Sequence, residues 1–251
     1  MTISHDLAYD LLTEFFESSE FTAAQSGSVI EPSRMSAAQA IGDRVRVGAD
    51  DSPPTQQLPE VLATRRSTRF FDGKSLTAPV LTRLLRDALA QNNHADEPAL
   101  EAYVVAQRVD GLPSAIYRFE SEGHYLPVME LPAGSERTGL TLQPEFCEAP
   151  VIVSLAIPLD AAISADGSHG YRRAMVRTSA AAYAMWLDAV SRDLVGSVFA
   201  GFIPAAVRRP LHSDGTSRIQ AFALALGHPA PQLSSESPAS DQENTKEGVM
   251  P

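Results

Sequence analysis

Apolar residues along this chain fall into distinct regimes. Between residues 6 and 16, Leu7, Leu11, Leu12, Phe15 and Phe16 stand at helical spacing and predict an amphipathic helix, which either docks on the main domain or a second subunit or lies on the surface as an ordinary helix. From Ser26 to about Gln57 the pattern weakens, and Asp50-Asp51-Ser52-Pro53-Pro54-Thr55 reads as a loop or linker. Stronger patterns follow. Thr77 stands where an N-cap is wanted, Pro79 falls in the first turn, and residues 80, 81, 84, 85 and 88 are apolar, which predicts a helix with one buried stripe. Val151 to Ile157 and Ile219 to Gly227 are apolar runs of strand length that suit burial on both faces. Tyr171 to about Ser191 carries Met175, Ala181, Ala182, Met185, Trp186 and Val190, the pattern of a long apolar helix. After Ala230 the chain is almost devoid of apolar residues and predicts a disordered tail without chemistry. The mixture describes an α+β domain over residues 58–229, preceded by a helical extension and linker (1–57) and followed by the tail (230–251).

Composition narrows the possibilities. The 251 residues, 44% hydrophobic and 20% charged, suffice for one sizeable core with a small appendage. A formal charge of -11 argues against nucleic acid or an anionic membrane as the main partner. A single cysteine, Cys147, excludes an intramolecular disulfide and a cysteine metal cage, and its apolar neighbours describe a buried spectator thiol. The six histidines, at 5, 94, 124, 169, 212 and 228, lack metal-ligand spacing, so no metal is expected. Ser197 lacks the nucleophile-elbow pattern, which argues against serine hydrolysis. No apolar run is long enough to span a bilayer, and the start Met1-Thr2-Ile3-Ser4-His5-Asp6 lacks the regions of a signal peptide, so a reducing cytoplasm is the expected compartment.

Against this acidic background one basic knot stands out. Ala63-Thr64-Arg65-Arg66-Ser67-Thr68-Arg69-Phe70-Phe71 places three guanidiniums and a hydroxyl within five residues, just before the first strong helical pattern. Arginine offers a rigid fork of donors matched to phosphate oxygens, and Ser67 adds a neutral donor, so the group can hold a monophosphate without a metal. The bland alternative is a solvated turn, or arginines paired with nearby acids. A second basic pair, Arg208-Arg209 before Pro210, reads as a solvated helix end.

The Arg65-Arg66-Ser67-x-Arg69-x-Phe71 order resembles the opening signature of the nitroreductase superfamily, and later landmarks agree with it over about residues 58 to 229. The helix from Thr77 resembles the family's first core helix. Leu100 to Ala106, the turn at Val109-Asp110-Gly111-Leu112-Pro113, Ile116 to Phe119, and Gly123 to Leu126 resemble the strand, turn and strands of the SagB-type branch, whose flavin dehydrogenases convert azolines in ribosomally made peptides to azoles. The resemblance implies a central antiparallel or mixed sheet flanked by helices, an intertwined homodimer, and FMN at the dimer interface. By the same resemblance Arg65 and Arg69 meet the FMN phosphate or the pyrimidine edge, with Arg66 and Ser67 completing that side. Gly196 to Phe202 resembles the loop that lines the isoalloxazine through Phe199, Ala200 and Gly201, Gly201 matching the glycine whose amide approaches N5. Asn93 aligns loosely with a polar residue near the flavin.

Two departures bear on activity. The Lys-Tyr pair that SagB-type enzymes carry just before an aromatic-Arg step is replaced near Ala165-Asp166, the step itself being Tyr171-Arg172. On the following helix, Arg177, Ser179, Tyr183 and Ala184 stand where relatives often carry acidic, Gly, Gln and Asn residues, and the basic pair many nitroreductases add near the C-terminus is absent after Pro229. A replacement base is therefore sought among Tyr171, whose phenolate Arg172 would stabilise, and His169. The expectation is an FMN-dependent dehydrogenase of azoline rings in a modified peptide, with other biosynthetic enzymes as partners. The alternatives are an NAD(P)H-dependent nitro or quinone reductase, and a drifted scaffold subunit that binds a peptide or partner enzyme.

Overall fold

The computed structural model describes residues 38–131, 141–200, 211, 213, 215 and 217–231. The helix expected over 6–16, the tail beyond 231, Arg208-Arg209-Pro210, His212 and Gly201 lie outside the described residues.

Nine strands and three α-helices are described: β1 (Val45–Arg46), α1 (Leu58–Thr64), β2 (Leu76–Thr77), α2 (Ala78–Asn92), β3 (Glu101–Ala106), β4 (Val109–Asp110), β5 (Ala115–Glu120), β6 (His124–Met129), β7 (Val151–Pro158), α3 (Leu159–Val190), β8 (Val195–Phe199) and β9 (Arg218–Gly227). Seven strands form one sheet in the order β1-β6-β5-β3-β7-β9-β8, every neighbouring pair antiparallel. The short β2 and β4 pair in parallel beside it.

The central strands β3 and β7 are apolar but for Glu101 and Ser154 because both faces of the sheet are covered, and the pleat sends alternate residues to opposite cores. From β3, Ala102, Val104 and Ala106 join the core under α2 and α3, while Tyr103 and Val105 enter the core on the other face. β7 divides likewise, Val151, Val153, Leu155 and Ile157 against the helices, Ile152 and Ala156 opposite. The second core is closed by the 3₁₀ turn Pro144–Glu148, which contributes Phe146 and the buried thiol of Cys147.

Helix α2 starts at the expected place, with Thr77 in extended conformation and Pro79 in the first turn, although the Thr77 hydroxyl caps nothing. Its stripe of Ala78, Leu81, Leu84, Leu85 and Ala88 is buried. Helix α3 begins at Leu159, well before the expected Tyr171, and is broken at Asp166 (φ -154°, ψ 30°) and Gly167 (φ 53°, ψ -136°). This polar, glycine-containing break interrupts the apolar period, which hides the first turns in the sequence. Past the break, Ala174, Thr178, Ala181, Met185 and Ala189 recur at helical spacing, all buried.

The pattern-poor segment before α1 also has a defined place. β1 adds an edge to the main sheet, and the Val47 N–H donates to Gly123 O at 2.8 Å. Gly123 has φ +77°, and a Cβ there would lie 2.1 Å from Val47 O, so only glycine permits this approach. The Thr55 hydroxyl donates to Ser191 O (2.6 Å), and the Gln56 amide to Asp193 Oδ1 (2.8 Å). These bonds go to residues remote in sequence, so no local periodicity announces them. Among the described residues, no helix is long and apolar enough to cross a membrane.

Candidate functional site

The basic knot leads out of α1. The backbone N–H of Gln57 donates to Glu60 at the start of that helix (3.0 Å), Pro59 occupies the first turn, and buried Val61 fixes it to the body of the domain. At Arg65 the backbone turns extended (φ -51°, ψ 124°), and residues 65–72 run as a strap across the β8/β9 end of the sheet. Ser67 forms a parallel bridge with Gly196, where Thr68 N–H donates to Gly196 O at 3.0 Å. Asp72 N–H donates to His228 O at 3.1 Å, and Phe71 bridges Pro229. Gly196 permits the close approach of β8 to β9 at this point: a Cβ on it would lie 2.3 Å from Ala225 O.

The three arginines have different surroundings. Arg65 lays its guanidinium carbon 4.3 Å from the ring centre of Trp186 and 5.9 Å from that of Tyr183, two α3 rings packed edge to face at 6.2 Å. Its Nε is buried and has no hydrogen-bond partner among the described residues. Arg66 folds back, Nη1 donating to Ala63 O (3.1 Å) and Arg65 O (2.9 Å). Arg69 is exposed and reaches Glu145 Oε1 at 3.5 Å. The exposed hydroxyl of Ser67 lies between them along the strap.

A cavity of about 460 Å³ opens beside Arg69, with Phe70, Phe71, Arg108 and Glu145 among its walls. A second, apolar cavity of about 440 Å³ lies over the Arg65 platform, between Val176, Tyr183, Trp186, Val198 and Phe222. The end of β8 is held by Phe199, stacked on Phe146 with ring centres 4.3 Å apart, and Ala200 beyond it is exposed.

The other expected site residues lie elsewhere. Asn93 follows α2, and its Oδ1 accepts from the N–H of Leu100 (2.8 Å) and from Arg177 Nη2 (3.1 Å). Arg177 is buried and also donates to Asn92 O (2.8 Å) and pairs with Glu97 (2.6 Å), so this departure from the family pattern closes the corner between α2 and β3. Arg177 precedes Trp186 by nine residues of α3, roughly 13 Å of helix. His169 and Tyr171 stand exposed on α3 just past its break; Tyr171 is fifteen residues, roughly 22 Å, from Trp186 along the helix. The structure thus sets Arg65, Ser67 and Arg69 on one strap along the β8 edge of the sheet, with Phe199 and Ala200 at the opposite end of β8 from the Gly196 bridge and Arg66 turned back on its own turn. Asn93, His169 and Tyr171 are set apart from that group within a single chain.

The donor set suits a phosphate monoester. An orphaned, buried N–H on a permanent cation is costly, and an anion in front of it removes the cost. A guanidinium stacked by its face leaves its edge donors free. The aromatic support was not foreseen from the sequence: Trp186 read as core and Tyr183 as a departure, and their i, i+3 spacing in an alanine-rich helix is the only local signal of a shared task.

This chain belongs to the nitroreductase family, which matches residues 62–228. Members typically bind FMN, and the chain is by class an FMN-linked oxidoreductase. A protein named as a nitroreductase from Anabaena variabilis shares the fold with a TM-score of 0.63 at 22% identity, over 75% of this chain and 42% of its own, so this chain spans less than half of that relative's length. One named likewise from Ralstonia eutropha matches at 0.58 and 16%, over 78% and 95% of the two chains. The E. coli microcin synthetase McbBCD complex with truncated pro-MccB17 bound contains a chain that matches at 0.54 and 14%, over 88% and 93%. No curated protein matches significantly.

Proposed function

We propose that this protein is an FMN-dependent dehydrogenase that oxidises azoline rings in a ribosomally made peptide, working as a homodimer of the SagB-type branch. One observation carries the flavin part: Arg65, its guanidinium carbon over the Trp186 ring and its Nε buried with no hydrogen-bond partner among the described residues, next to Ser67 and Arg69 on a strap bonded to β8. Arg65 and Ser67 hold the phosphate. Arg69, beside the cavity it shares with Glu145, takes the pyrimidine edge, and Phe199 at the end of β8 with Ala200 beyond it lines the ring; Gly201, outside the described residues, is assigned to N5 by the family resemblance alone. When bound, FMN supplies the two-electron acceptor for ring oxidation. The peptide substrate is supported by the SagB-like landmarks and by a fold shared over most of its length with a chain of a peptide-bound synthetase complex.

The homodimer is supported by α3, which exposes Ile163, Tyr171, Val176 and Tyr183 along its length. The proton leaving the azoline ring carbon is assigned to Tyr171, with His169 as its deputy. Both lie far along α3 from the phosphate anchor of their own chain, so the pairing of base and anchor requires the second subunit.

Full-length protein purified without added flavin is expected to be yellow and to release FMN on denaturation. Arg65→Ala with Arg69→Ala should give a folded, colourless protein; stoichiometric FMN in that variant rejects the anchor. Under anaerobic conditions, bleaching by a thiazoline- or oxazoline-containing peptide supports the dehydrogenase. Rapid bleaching by NADPH with no response to such a peptide identifies a reductase instead.

A further inference from the structure

The anchor proposed above depends on a cation whose position its own segment does not determine. Arg65 leaves the end of α1, where the backbone has already turned extended, and its side chain makes no hydrogen bond to any described residue. A free arginine at a helix end samples many rotamers, and each charge-assisted bond to a phosphate would then cost the entropy of ordering the side chain. Here the guanidinium rests between two rings from α3, 4.3 Å from the centre of Trp186 and 5.9 Å from that of Tyr183. Trp186 is almost wholly buried, at 6% exposure, and sits on the stripe of α3 that packs against the sheet, so it is a rigid floor. Tyr183 is 41% exposed, packs edge to face on Trp186, and forms the outer wall.

From this geometry we infer that Trp186 and Tyr183 are positioning residues for the cofactor phosphate: they hold Arg65 by its flat face so that its edge donors are set in advance toward the anion. The inference rests on Arg65 being the phosphate anchor. A cation lying on a π face is attracted by the ring quadrupole without using any N–H, so the clamp and the anion do not compete for the same donors. Burial of the Trp186 floor excludes water from one side of the guanidinium, which strengthens its attraction for a phosphate on the other. A leucine at 186 would keep an apolar side chain in the core, with some loss of packing, yet leave the cation unheld.

The test compares FMN with riboflavin, which carries the same ring system but no phosphate, on full-length protein freed of flavin. Arg65→Ala sets the scale as the loss in preference for FMN over riboflavin. Trp186→Leu is expected to lower that preference about tenfold, Tyr183→Leu less, and Trp186→Phe, which keeps a π face, only slightly. In the Arg65→Ala background, Trp186→Leu should cause no further loss of preference, since nothing remains to be held. If Trp186→Leu and Tyr183→Leu weaken FMN and riboflavin equally while Arg65→Ala lowers the preference, the rings have a structural role only and this inference falls alone. If Arg65→Ala itself leaves the preference unchanged, the anchor assignment falls and takes the clamp with it. Tyr183, being half-exposed, can be replaced without endangering the core, so the test survives a Trp186→Leu variant that does not fold; because Tyr183 also lies on the α3 face assigned to the homodimer, Tyr183→Phe, which keeps the ring, is its control, and an equal loss of preference in Tyr183→Phe and Tyr183→Leu counts against the clamp.

Discussion

Replacing Gly196 by alanine asks whether the arginine strap is held by close backbone packing or by its own turn. The new Cβ would stand 2.3 Å from the carbonyl oxygen of Ala225 and 2.8 Å from a methyl of Leu226. The first obstacle is backbone in the adjoining strand, which cannot rotate aside, so β8 must move from β9 by about 1 Å against its register from Val195–Gly227 to Phe199–Ala223. Overpacking of this kind costs about 2 kcal/mol, equivalent to a fall in Tm of roughly 4–8 °C for a chain of this size. The same displacement carries away the Gly196 carbonyl that accepts from Thr68, and with it the seat of Ser67 and the arginines, so FMN content should fall in parallel. Gly73→Ala, just past the strap, is the control: a Cβ there meets nothing within 4 Å, and stability should change by less than about 0.5 kcal/mol. Thermal and urea unfolding together with bound flavin per chain provide the readout. A Gly196→Ala protein with unaltered Tm and flavin content, or an equal loss in Gly73→Ala, would refute the reasoning.

Further outcomes are expected elsewhere. Arg177→Leu removes four interactions of a buried cation and leaves Glu97 with only the half-exposed Arg173 as an ion-pair partner, so urea unfolding should show a loss of about 3 kcal/mol; less than 1 kcal/mol would mean that the corner is held by other bonds. Burial pushes the Asp87 carboxyl up, but the hydrogen bond from Arg86 and the charges of Arg83 and Arg86 outweigh it and hold the group below its ordinary 3.8. Its contribution is therefore present above about pH 3.8 and is lost as the pH falls further, so Asp87→Asn should flatten the acid decline of stability below about pH 3.8, by under about 1 kcal/mol because the group is partly solvated. Tyr171→Phe should slow substrate-driven flavin reduction by about a hundredfold with FMN content unchanged. Unaltered rates in both Tyr171→Phe and His169→Ala would place the base elsewhere.

What the linear chain determined is whatever depends on neighbours in sequence. The stripe of α2, the twin runs of β7 and β9 and the buried thiol of Cys147 all follow from local spacing and residue type, because a helix face and a buried strand each impose a short period, and the crowding of Arg65, Arg66, Ser67 and Arg69 into one short segment is read directly from the chain. Tertiary structure decided which of those arginines has a free donor. Arg66 and Arg65 are adjacent and alike in sequence, yet one is spent on the carbonyls of its own turn while the other lies on two rings more than a hundred residues away. It also decided that the weakly patterned residues 45–57 add an edge strand and pair with Ser191 and Asp193, and that Arg177 is a buried brace. These outcomes share one physical cause: hydrogen-bond and cation–π partners are chosen by proximity in the folded chain, and a pairing between residues far apart in sequence leaves no periodic trace in either segment.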